Sequence, residues 1–308
     1  MPFGSPERKE LTLGTALWGW GIEKQTAFEM LSHFYAAGWR CVDTATNYPI
    51  NKNPLDFRRA ETWIAEWIRA NSITNLRVLV KVGAVDNSGS ELAELSPSFL
   101  LICEDMYRVR FGPNLRCLSI HWDNRSSKEE VTETAQALVG IAARGLEVGL
   151  SGIKHPGLYA NAAPELGSRW WVQVKENVFT NRTRCHTYEG LANARFLAYG
   201  INGGGIKFDQ APTPASSVVL REIAVPNGLE EIKRFIVETL DVAPRPESFN
   251  QFSLLVQSVN TALSGLIIGP RDVNQLADTL NYWARLSAID KDTIRRALGS
   301  FPRLEQPG

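Results

Sequence analysis

Short, nearly continuous apolar runs alternate along this chain with longer stretches whose apolar residues recur at helical spacing. The short runs are LTLGTAL (11–17), RCVDTA (40–45), RVLVKV (77–82), RCLSIH (116–121), EVGLSG (147–152), WVQVKE (171–176), RFLAYG (195–200) and LSGLIIG (263–269). Runs apolar nearly throughout fit parallel strands buried on both faces. The helical pattern covers 24–38, with Phe28, Leu31 and Tyr35 on one face, and 57–71, with Ile64, Trp67 and Ile68 on one face. Further helices fit 97–112, 127–145, 228–240, 247–260 and 271–286. Gly38, Gly145 and Gly167 follow helical stretches and precede strands, where glycine supplies the left-handed residue that ends a helix.

Eight strands separated by helices predict an α/β fold, a single (β/α)8 TIM barrel. An open doubly wound sheet is the weaker reading, because GTALWGWG after the first strand lacks the G-x-G-x-x-G spacing that opens a dinucleotide-binding helix. The 308 residues suit one barrel, since that fold commonly reaches about 250 residues and more as one unit. Residues 201–227, rich in Gly, Pro and Ser, lie between barrel elements and read as a flap over a site.

Composition adds exclusions. Apolar residues make up 44% and charged residues 21%, a globular balance. Lys plus Arg and Asp plus Glu both total 33, with no block of like charge, so neither a nucleic acid nor an anionic membrane is an expected partner. No run approaches the ~18 apolar residues of a membrane span, and the N-terminal MPFGSPERKE has no secretory pattern. Cys41, Cys103, Cys117 and Cys185 are scattered and read as reduced thiols of a cytoplasmic protein.

Barrel active sites form at the C-terminal ends of the strands. The second strand closes on Asp43, the third on Lys81 and the fourth on His121, and Tyr48 follows Asp43 in the next loop. Each alone has an ordinary structural reading: a turn former, a solvated amine, a hydrogen-bonded core imidazole, a loop anchor. Their convergence on one rim is the informative observation.

These residues lie in motifs that resemble the aldo-keto reductases: VDTATNY (42–48), LVKVG (79–83), LSIHWD (118–123), GLSG (149–152), VQVKEN (172–177), AYGINGGG (198–205) and IIGPRDVNQL (267–276), in family order over roughly residues 11–286. The resemblance implies a catalytic tetrad of Asp43, Tyr48, Lys81 and His121. Tyr48 would exchange a proton with the substrate oxygen, Lys81 would steady the phenolate, Asp43 would hold Lys81, and His121 would orient the carbonyl. The resemblance also implies a nicotinamide cofactor, NADP(H) in preference to NAD(H). Ser151 and Gln173 would grip the carboxamide and Tyr199 would stack on the ring. Gly269 would allow close approach at a helix N-terminus, Arg271 would pair with a 2′-phosphate, and Gln275 would reach the adenine. Trp18, Trp20 and Trp122, near the predicted mouth, would wall an apolar pocket.

The chain departs from the family at Gly152, Lys175, Glu176 and Gly200, all on the cofactor side. The implied activity is reduction of an aldehyde, ketone or sugar-like carbonyl, or the reverse. A nucleotide-binding regulatory protein on the same barrel, like the potassium-channel β subunits, is the alternative from another class. A metal-dependent hydrolase fits poorly, since the four His include no H-x-H pair at a strand end.

Overall fold

The structure is a computed structural model that describes residues 9–179, 188, 190–211, 213, 217–220 and 227–301. Its strands are β1 (Glu10–Gly14), β2 (Cys41–Ala45), β3 (Arg77–Val82), β4 (Leu115–Asp123), β5 (Glu147–Ile153), β6 (Trp171–Lys175), β7 (Arg195–Tyr199) and β8 (Leu263–Ile268). They form a closed parallel barrel in chain order, with β1 pairing both β2 and β8. The helices are α1 (Lys24–Ala36), α2 (Arg59–Ala70), α3 (Pro97–Phe111), α4 (Lys128–Ala143), α5 (Pro156–Ala162), α6 (Ser217–Leu220), α7 (Leu229–Glu238), α8 (Phe249–Ser258), α9 (Val273–Leu286) and α10 (Lys291–Leu298). The α/β reading and the (β/α)8 TIM barrel are therefore correct.

Strand parity divides the side chains between two environments. Val42, Val78, Val80, Val82, Leu118, Ile120, Val148, Leu150, Val172 and Val174 join the large core that includes the surrounding helices. The alternate positions face the barrel axis, where Cys41, Leu79, Cys117, Trp171, Leu197 and Ile267 form a small separate cluster. Glycines make room for these inward groups. A Cβ at Gly149 would lie 2.7 Å from the Trp171 carbonyl, and one at Gly265 would lie 2.6 Å from the Glu10 carbonyl. At the N-terminal end, Glu147 accepts from Arg116 at 2.6 Å, from the Trp171 indole at 2.8 Å and from Arg195 at 3.2 Å, while Arg77 pairs with Glu10 at 2.5 Å.

Helix starts follow side-chain capping. Ser96, Ser127, Ser248, Asp272 and Asp290 each accept a backbone N–H of the first turn, a contact worth ~1 kcal/mol at such positions. Several sequence boundaries shift for identifiable reasons. β1 stops at Gly14 rather than running to 17, because the next residue, Thr15, turns its N–H and hydroxyl onto the Asp43 carbonyl. The 57–71 helix begins only at Arg59, since Arg58 is left-handed at φ 67°. In α1 the buried stripe is Ala27, Met30, Leu31 and Phe34, rotated from the predicted face, and Phe28 and Tyr35 are half-buried. Gly38, Gly145 and Gly167 all have positive φ as expected, Gly167 at φ 42° and ψ −118° forming a kink between the 3-10 turns of Pro164–Arg169.

Cys41, Cys103 and Cys117 are free and buried, and Cys185 lies outside the described residues. Burial pushes the Cys103 and Cys117 thiols up to about 12. Among the described residues no helix is long and apolar enough to cross a membrane, and no group of His, Cys, Asp and Glu is arranged to hold a metal ion. Parts of the 201–227 stretch also fall outside the described residues; within it the chain turns at 201–205 and forms α6.

Candidate active site

Strand parity carries the predicted chemistry to one place. Asp43, Lys81, His121, Ser151, Gln173 and Tyr199 share the inward face of β2 to β7, at or near their C-terminal ends. The register sets His121 against Ser151 and Ser151 against Gln173.

Lys81 and Asp43 form a buried ion pair through the lysine Nζ and Asp43 Oδ2. The other carboxylate oxygen, Oδ1, accepts from Gln173 Nε2 at 2.5 Å. Both oxygens of a buried carboxylate are thus engaged, the condition under which such a pair is tolerable in a poorly solvated interior. Burial pulls the Lys81 ammonium toward neutrality, but the Asp43 carboxylate, with Tyr48 beside it, outweighs this and leaves the Lys81 pKa above the ordinary lysine value.

Tyr48, at the barrel mouth, places its ring centroid 4.9 Å from Lys81 Nζ. Its ring meets that of His121 edge-on, with centroids 5.8 Å apart. Burial, and then the nearby Lys81 charge, hold the His121 pKa well below the usual histidine range. The imidazole is therefore neutral at pH 7 and serves as a hydrogen-bonding group rather than a proton reservoir. Its Nδ1 is buried without a partner among the described residues.

The strand end carrying His121 is braced from beneath. Asp123 accepts from Arg125 through both oxygens, at 3.0 and 2.9 Å, and from the Tyr159 hydroxyl at 2.7 Å. Between these anchors Trp122 adopts φ 63°, a conformation uncommon for a bulky residue and one that clusters at functional sites. Its ring lies 4.4 Å from that of His121 and rests over Gly152. A Cβ at Gly152 would come within 2.5 Å of Trp122 Cδ1. The departure at Gly152 is therefore filled by an indole from the neighbouring strand.

The three tryptophans of the predicted pocket separate. Trp20 and Trp122 are half-buried, with surface to offer. Trp18 has none: the β1–α1 loop turns back through a Trp18–Ile22 bridge and buries the ring in the core, so it walls no pocket here.

The residues expected at the adenosine end sit in the β8–α9 turn. Gly269 has none of the described residues within 4 Å of the place a Cβ would take. Arg271 donates from Nη2 to the Gly21 carbonyl at 3.1 Å, crossing to the β1–α1 loop. Gln275 accepts from the Arg271 N–H at 3.2 Å and donates to Asp272, whose carboxylate caps α9. Tyr199, at the end of β7, is half-buried. Sequence reasoning missed the bond from Gln173 to Asp43, because nothing local in WVQVKE shows that its glutamine reaches a strand four positions away in the barrel.

Comparison with known proteins gives a concordant result. The Aldo/keto reductase family model matches residues 10–210. A putative aryl-alcohol dehydrogenase of Saccharomyces cerevisiae, AAD6, is 29% identical over 148 residues, covering 45% of this chain and 66% of its own length. A probable aryl-alcohol dehydrogenase of the same yeast, AAD4, is 28% identical over 128 residues, covering 38% of this chain and 37% of its own. In both cases the match spans less than two thirds of the relative.

Proposed function

Because this chain belongs to the aldo/keto reductase family, we propose that it is an NADP(H)-dependent oxidoreductase that interconverts a carbonyl and an alcohol, with Tyr48 as the proton donor and acceptor. The observation that carries this reading is the buried Lys81–Asp43 pair with Tyr48 and His121 around it. A buried cation held against a tyrosine ring is costly to build, and it supplies what proton transfer at a phenol needs.

The donor set fits a nicotinamide. Ser151 and Gln173 sit side by side in register and offer a hydroxyl and an amide, which suit a carboxamide. Tyr199, near them on β7, offers a ring face. Arg271 offers a guanidinium for a 2′-phosphate, with Gly269 and Gln275 beside it. The cofactor would supply the hydride, which no side chain can.

This chain's own residues do the rest. The Tyr48 hydroxyl gives its proton to the substrate oxygen as charge develops there, and Lys81 stabilises the phenolate left behind. Asp43 keeps Lys81 charged and in place, and Gln173 keeps Asp43 in place. Neutral His121 hydrogen-bonds the carbonyl oxygen and fixes its direction. Trp20 and Trp122 give the pocket flat apolar walls, which suit an aryl aldehyde or aryl alcohol. The names of the yeast relatives point to the same substrate class. We read the chain as one catalytic unit built on a single barrel.

Two measurements test this. Quenching of the nine tryptophans on titration with NADPH and NADH should saturate at lower NADPH, and Arg271→Ala should weaken NADPH much more than NADH. With an aryl aldehyde, Tyr48→Phe should lower turnover by about 10²–10⁴-fold, the usual span of general acid catalysis, while cofactor binding persists. Absence of cofactor binding, or undiminished turnover in Tyr48→Phe, refutes the reading.

A further inference from the structure

We propose that Asn87 is a positioning residue for Tyr48: its buried side-chain amide clamps the segment that follows the tyrosine to the loop that follows Lys81. This inference rests on the oxidoreductase reading above.

Tyr48 and Lys81 come from different strands, and the Lys81–Asp43 pair joins those strands only at the barrel end. Beyond it, the chain after Tyr48 runs through Pro49 and Pro54, which have no N–H to donate. Within the stretch the Asp56 N–H reaches the Asn53 carbonyl at 3.0 Å, and a donor from the loop after β3 adds to it there and reaches the Pro49 carbonyl as well. Asn87 is that donor. Its Nδ2 lies 2.7 Å from the Asn53 carbonyl, 3.1 Å from the Pro49 carbonyl and 3.2 Å from Asn51 Oδ1. Two of these partners are backbone carbonyls, which only accept, so the amide nitrogen and not its oxygen faces them. In return, the Asn87 carbonyl accepts from the Lys52 N–H at 3.1 Å, where Lys52 is held at φ 63°.

Asn87 is 3% exposed, so water does not compete for these bonds. The clamp is itself anchored. Its loop is pinned by an Ala84–Ala93 bridge and by a 2.8 Å bond from the Glu94 N–H to the Gly83 carbonyl. Asp86 tightens the turn by accepting from the Ser88 N–H and hydroxyl and from the Ser90 hydroxyl. The loop rooted at Lys81 thus holds the segment rooted at Tyr48. A phenol displaced by a fraction of an ångström from its cation and from the substrate oxygen loses rate steeply.

The experiment compares the full-length wild type with Asn87→Ala, Asn87→Asp and Asn87→Ser. The readouts are steady-state reduction of an aryl aldehyde, NADPH binding by tryptophan quenching, melting temperature, and backbone hydrogen exchange over 46–56. Asn87→Ala should lower kcat by about tenfold or more, with the KM for aldehyde and the Kd for NADPH within about twofold of wild type. Asn87→Asp keeps the volume without the N–H donors and should fail alike, whereas Asn87→Ser retains one donor and should recover part of kcat. Exchange should quicken within 49–56 and not elsewhere in the barrel. A folded Asn87→Ala enzyme with wild-type kcat overturns the proposal and leaves the oxidoreductase reading intact. If wild type turns over no carbonyl, that reading fails separately and exchange alone decides the clamp: quickened exchange at 49–56 supports it, and unchanged exchange overturns it.

Discussion

Removing the ammonium of Lys81 gives the most exposed test of the electrostatic argument. In Lys81→Met the chain keeps a similar linear stem and loses the charge that neutralises Asp43, which is itself buried and retains only the Gln173 amide. Breaking a buried pair from one side costs about 3–5 kcal/mol, because the remaining charge has neither water nor partner. Removing both charges in Asp43→Asn with Lys81→Met should cost much less, since the desolvated carboxylate goes too. For 308 residues the unfolding entropy near 60 °C is about 0.65 kcal/mol/K, so the single variant should melt roughly 5–8 °C below wild type. The assay is urea and thermal unfolding at pH 7 of wild type, both single variants and the double variant. A double variant that loses the sum of the two single losses would refute the claim that the pair exists to satisfy itself. Lys81→Met and the double variant should lose turnover, because neither retains the cation beside Tyr48.

Two further outcomes follow from the site. Gly152→Ala combines a residue at φ 70° with a Cβ 2.5 Å from Trp122 Cδ1. It should cost about 2–4 kcal/mol from backbone strain and overpacking and raise the KM for an aryl aldehyde by displacing the indole; an unchanged melting temperature and KM would rule out the contact. His121 should also mark the acid limb of stability. Its folded pKa is depressed, by burial first and by Lys81 second, so below about pH 6.5 the unfolded chain binds a proton that the folded chain refuses. Stability is full above that pH and falls on acidification, and His121 adds about 1.4 kcal/mol per pH unit to the slope until the folded imidazole itself titrates. Urea midpoints for wild type and His121→Leu between pH 7 and 5.5 check this, and parallel pH dependence would contradict it.

The barrel was legible because both of its periodicities are local. Runs such as RVLVKV carry their parity on their face, and Asp43, Lys81 and His121, one or two residues before the ends of β2, β3 and β4, are among the positions parity turns inward. What escaped the sequence was set by contacts across the chain. Trp18 looked like a mouth residue because LTLGTAL reads as one strand to 17, and only the Thr15–Asp43 bonds show that the chain has already turned. Gly152 looked like a lost contact, whereas its role depends on a tryptophan of the neighbouring strand. Arg271 meets Gly21 across 250 positions, a distance no window of sequence spans. Of the three helices missed, α5 has seven residues, α6 has four and α10 buries only Ile294, so none has an apolar face broad enough to stand out.

The ring of charges at the N-terminal end of the barrel has a consequence for how this molecule can change. Glu147 alone ties together β4, β6 and β7 through Arg116, Trp171 and Arg195, and Glu10 ties β1 to β3. That end is held by bonds among strand residues, independent of the loops at the opposite mouth. Tolerance to substitution should therefore be graded along the barrel axis. Mouth loops should accept exchange, lengthening or reshaping while the far end keeps the strands in register, and the same alterations made at the far end would loosen several strands at once.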